Sequence, residues 1–147
     1  MKRLFCVAVL GATTLAAPGC SGSHRLSVPL QKRIAAMTGT EARSLGDSSV
    51  KMAQVYGPAS YIALEEASTG QRVSKSANAP KGRFYLIVLH GHFVCDTCSH
   101  LTAASIRGTI ATQIWSPTSR EGDFGLGHRS LPASMSRLGT PTVISLG

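Results

Sequence analysis

The chain has 147 residues, with 15 Lys and Arg against 7 Asp and Glu, a formal charge of +8 and a mean hydropathy of +0.10. That length suits one compact domain and hardly two. The positive charges are scattered, with no Lys/Arg run and no Arg/aromatic interleaving, which argues against a nucleic-acid surface and leaves a mild preference for anionic lipid or wall polymers.

The first element is "MKRLFCVAVLGATTLAAPGC". Lys2 and Arg3 precede an apolar run from Leu4 to about Ala17, too short for the roughly 20 apolar residues of a spanning helix and suited to a secretory signal peptide over residues 1–19. Ala17-Pro18-Gly19-Cys20 resembles a bacterial lipobox, with Ala17 where leucine is usual. The resemblance implies that Cys20 is acylated and becomes the N-terminus. The competing readings are a plain signal peptide that leaves Cys20 free and an uncleaved anchor. Residues 20–48 then read as a lipid-anchored tether beginning "SGSHR", with a possible short amphipathic helix at Leu30 to Met37. In that helix Ile34 and Met37 share one side, and Lys32 and Arg33 take the other.

Residues 49–147 are expected to form a single domain. "VKMAQVY" (50–56) has the composition of a strand, and Pro58 followed by "ASYIALEEAS" predicts a short helix ending at Gly70. "RFYLIVLHGHFV" (83–94) is the strongest strand, apolar on both faces. "TIATQIW" (109–115) is the next, "SPTSREGDFGLG" connects as a hairpin into a short strand at Asp123 to Leu126, and "TPTVISL" (140–146) is a last extended segment. The expected class is α+β, with one or more short helices on a mostly antiparallel sheet of three to four strands.

The chemistry-bearing residues concentrate in "LHGHFVCDTCSH" (89–100). Cys6 leaves with the signal and Cys20 is taken by lipid, so one pair remains, Cys95 and Cys98, and an even pair outside the cytoplasm is expected to be oxidised. Three readings compete. The preferred one is a disulfide pinning a surface turn, worth about 2 kcal/mol by the chain-entropy estimate. The second is thiol-disulfide exchange, with Cys95 attacking, Cys98 resolving and Pro141 of "GTPT" facing them as a cis-proline does in thioredoxin-like proteins.

The third reading is a Zn or Cu site built from His90, His92, Cys95, Cys98 and His100. His90 and His92 share a strand face, whereas Cys95 falls on the other face unless the chain turns. His24 and His128 are remote in sequence, so the ligands would all come from one segment. Cys-x-x-Cys is followed by Ser99 before His100, which does not fit haem attachment.

No nucleophile elbow, phosphate loop or dinucleotide motif occurs. Glu65 and Glu66 are adjacent on a predicted helix and face different ways, and Trp115 and Phe124 read as core anchors.

The stretches "VYGPASYIALEEASTG", "FYLIVLHGHFV", "TIATQIWSPTSREGDFGL" and "LPASMSRLGTP" resemble a pattern in small bacterial exported lipoproteins of unknown function. There a helix precedes a strand ending Gly-basic-Phe, here Gly91-His92-Phe93. A hairpin of the form Asp-aromatic-Gly-Leu follows, here Asp123-Phe124-Gly125-Leu126, and then a Leu-Gly-x-Pro tail, here Leu138-Gly139-Thr140-Pro141. The resemblance covers about residues 50–143 and departs at "CDTCSHLTAAS", where the pattern has no cysteines. It implies no activity, cofactor or catalytic residue.

The sequence is thus read as a lipoprotein on the outer face of the cytoplasmic membrane. It carries a non-catalytic binding or accessory domain, with no cofactor. Its expected partners are membrane lipid through acylated Cys20 and an envelope protein or small ligand, with no nucleic acid.

Overall fold

The structure, a computed structural model, describes residues 25–74, 78–95, 106–118, 123–128 and 130–147, with backbone alone at 106 and 123–128. The element order is α1 (Val28–Ser44), β1 (Met52–Ala59), α2 (Tyr61–Thr69), β2 (Phe84–Cys95), β3 (Ile106–Trp115), β4 (Asp123–His128), a 3-10 helix (Ala133–Leu138) and β5 (Thr142–Ser145). The five strands form one antiparallel sheet in the order β4-β3-β2-β1-β5. The class is α+β, as expected. The sheet has five strands rather than three to four, because the closing extended segment pairs with β1 as an edge strand.

β2 lies at the centre and explains the architecture. Six consecutive residues, Phe84 to Leu89, are buried. Side chains alternate along a strand, so a continuous buried run needs cover on both faces. Tyr85, Ile87 and Leu89 pack with Ile34, Ala42 and Leu45 of α1 and its C-terminal turn. Phe84, Leu86 and Val88 pack with Leu64 and Ala67 of α2 and Met135 of the 3-10 helix. The sheet is therefore the middle layer of three.

α1 is longer than the predicted Leu30–Met37 and is no part of a tether. Pro29 sits in its first turn, where the missing N–H is not needed. Ile34, Thr38 and Ala42, spaced by four, form its buried stripe. Arg33 reaches over the indole of Trp115, 5.6 Å from the ring centroid, and donates to the Pro117 carbonyl at 3.2 Å. The core thus draws on residues from Leu26 onward, so the domain begins well before the expected boundary at residue 49.

α2 starts at Ser60, whose hydroxyl accepts from the Ala63 N–H at 3.3 Å, and stops at Gly70 in the left-handed region, φ 72°. Pro58, expected to open that helix, lies in β1 after a cis bond from Gly57. The 3-10 helix was not anticipated; Ser134 anchors it by donating to the Ala67 carbonyl of α2 at 2.9 Å.

Candidate functional site

α2 has nine residues and the 3-10 helix six, too few to roof a five-stranded sheet. They cover the part of their face that runs through Tyr56, Leu86 and Ile114. The corner where β5, β1 and β2 meet stays open. There Met52 is 63% and Val143 is 55% exposed, two of the three large apolar side chains with high exposure among the described residues.

Register brings this corner together: Gln54 pairs with Val88 on one side and Val143 on the other. The result is a groove of about 300 Å³ lined by Met52, Val143, Gln54, Val88, His90 and Lys51, with Ser49, Val50 and Ala53 at its margin. Val88, fully buried, is its floor. Among the described residues its lining includes a lysine and a histidine and no carboxylate. Beyond Gln54 the same face continues to Tyr56, whose hydroxyl donates to Gln54 Oε1 at 3.5 Å and whose pKa is pushed up by burial, which keeps it a donor.

The end of β2 next to the groove is held from the opposite face. The β2/β3 register shifts between His90 and Phe93, which leaves the His92 N–H outside the ladder. Asp47, in the turn after α1, receives it: the His92 N–H donates to Oδ2 at 2.7 Å. The Ser49 N–H donates to Oδ1 at 2.9 Å and the Ser49 hydroxyl donates to the same oxygen. These bonds, the one from His92 first, hold the Asp47 carboxyl below its ordinary value although burial opposes them.

The Val94 N–H donates to the Leu45 carbonyl at 2.9 Å and ties the same turn to β2. Gly91 is required beneath it, since a Cβ there would stand 2.6 Å from Asp47 Oδ2, 2.8 Å from Val50 Cγ2 and 2.9 Å from Phe93 Cζ. Gly91-His92-Phe93 therefore has a structural reason: room for the carboxylate, an N–H for it, and a ring buried in the α1-side core.

The sequence-predicted residues separate. His90, exposed, lines the groove, and His92 is also exposed. Cys95 is buried at the end of β2 in the α1-side cluster, on the opposite face from Val88 and the groove. The proposed metal ligands His90 and Cys95 thus stand on different sides of the sheet. Among the described residues no group of three or more His, Cys, Asp or Glu is placed to hold a metal ion. Cys98, His100, His24, Cys20 and the signal peptide 1–19 lie outside the described residues.

Pro141 does not face Cys95. Val55 pairs with both Ile87 and Thr142, so Pro141 lies about level with Ile87, eight residues down β2 from Cys95 and roughly 26 Å away along the strand. The bond preceding Pro141 is trans. The likeness of "GTPT" to a cis-proline loop is one of letters, and the arrangement that exchange enzymes need is not formed. Glu65 and Glu66 do not act as a pair either; Glu66 accepts from the Val73 N–H at 3.1 Å and fastens the loop after α2.

Met52, Gln54, Val143 and Asp47 escaped the sequence reading. For Val143 the usable signal is an apolar residue on the outward phase of an edge strand, for Asp47 it is the Asp-Ser-Ser turn chemistry at 47–49, and Met52 and Gln54, on an inner strand, carry no local signal of exposure. Comparisons with protein-family models, with curated proteins and with solved structures gave no match.

Proposed function

We propose that this chain is an exported, membrane-anchored lipoprotein whose folded part is a non-catalytic binding or accessory domain at the cell envelope, and that it binds through the open corner of its sheet. The observation that carries the binding reading is that corner: two large apolar side chains exposed beside a groove of about 300 Å³ with a buried apolar floor. Among the described residues the groove's lining has no carboxylate and no metal-ligand cluster, and its one hydroxyl nucleophile, Ser49, is engaged with Asp47 rather than with a histidine base, which supports recognition rather than turnover.

The address is supported by the first twenty residues, a charged start, a short apolar run and the lipobox-like Ala17-Pro18-Gly19-Cys20. Cys95, the last residue of β2, and Cys98, three positions on in the sequence, serve in this reading as a disulfide crosslink. Metabolic labelling of a bacterium expressing the full chain with a palmitate analogue tests the anchor. Label should appear on the parent protein in the membrane fraction and vanish in Cys20→Ser; a parent that carries no label overturns the lipoprotein assignment.

A further inference from the structure

The groove opens onto the edge strand β5, and the hydrogen bonds of β5 define which of its backbone groups are free. The Leu146 N–H donates to the Lys51 carbonyl at 2.9 Å, so Lys51 and Leu146 are a bonded pair. Antiparallel partners alternate between bonded and non-bonded pairs. Thr142 opposite Val55 and Ile144 opposite Ala53 therefore turn their N–H and C=O toward β1. Val143 and Ser145 turn theirs away from the sheet, and both residues are exposed.

Natural edges are usually blunted by a charge, a proline or a bulge within the strand. Thr142–Ser145 is a short strand of four residues that follows Pro141, yet it contains no charge, proline or bulge of its own, and its register with β1 is unbroken. Immediately inside this edge are the exposed Val143 and Met52 over the apolar floor, with His90 also in the lining.

We infer that β5 accepts an extended acidic segment of a partner polypeptide as an added strand. Its backbone pairs with Val143 and Ser145, and an apolar side chain rests against Val143 and Met52. This rests on the reading of the open corner as the binding surface. Charge selects the occupant. A second copy of this chain would bring the same excess of Lys and Arg over Asp and Glu, whereas an acidic segment is drawn to it, and the described lining of the groove offers that segment no carboxylate to repel it.

The test uses the full-length protein in detergent micelles and a short fluorescein-labelled peptide alternating glutamate and valine, with a lysine-valine peptide as control, read by fluorescence anisotropy. The acidic peptide should saturate and bind at least about tenfold more tightly than the basic one. Ser145→Pro removes an outward N–H and no bond to β1, so it should weaken binding at least about tenfold with an unchanged circular dichroism spectrum. Equal binding of the two peptides, or of neither, overturns the inference. Binding lost in Met52→Ser but kept in Ser145→Pro retains the face as the binding surface and overturns strand addition. Binding kept in both variants overturns both readings. Dimerisation of the parent that Ser145→Pro abolishes puts a second copy on the edge and overturns the acidic partner.

Discussion

Asp47 is a carboxylate with little access to water, and three donors from two residues converge on it. Those donors favour its ionised form, so its folded pKa lies below the ordinary 3.8. A depressed carboxylate stabilises the fold above the unfolded pKa, and that contribution disappears as pH falls through the folded value. Asp47→Asn places an amide N–H₂ where an N–H donor needs an acceptor, so it should destabilise by about 1–3 kcal/mol at neutral pH. The difference between parent and variant in urea midpoints should be constant above about pH 5 and shrink below about pH 4. A difference that does not change with pH would show that the carboxylate charge contributes nothing. Gly91→Ala reports on the same contact from below, since its Cβ meets Oδ2 first. Combined with Asp47→Ala, it should cost less than the sum of the two single changes, which urea melts of the four proteins would resolve.

At the scale of elements, α1 decides where the domain begins. Its buried stripe covers Val55, Ile87, Leu89 and Phe93, and without it one whole face of the central strand would meet water. A chain starting at residue 49 should therefore lose its cooperative thermal transition, whereas one starting at residue 25 should keep it, as circular dichroism melts would show. The strands were legible in the sequence because β-branched and aromatic runs bounded by Gly and Pro carry a local signal. α1 is less legible because its stripe consists of Ile34, Thr38 and Ala42, and two of those three are weak signals of burial. The site was less legible still. His90 stood out as a histidine on a strong strand, but Asp47 acts across 45 residues of sequence to reach the His92 N–H. The exposure of Met52 and Val143 depends on where α2 stops short, which neither β1 nor β5 encodes.

For the whole molecule, the question is whether a sheet with two separate cores unfolds as one body. The α1-side cluster and the α2-side cluster share no side chain, yet both are built on alternate residues of the same strand, β2. Removing either cover exposes one face of a strand whose backbone the other cover also needs in place, so the two cores are coupled through the strand even without direct contact. Trp115, the single tryptophan, lies in the α1-side cluster against Tyr85, with ring centroids 6.4 Å apart, and reports on that side. Leu64 is fully buried on the other. Leu64→Ala should lower stability by about 2–5 kcal/mol. Because of the coupling, it should shift the Trp115 fluorescence transition in urea by the same amount as the circular dichroism transition, although Leu64 packs on the far side of the sheet. A Trp115 transition that stays where it is in the parent while the far-UV signal moves would mean that the two layers unfold independently. The open corner would then belong to the less stable layer, and occupation of the groove would order that layer alone.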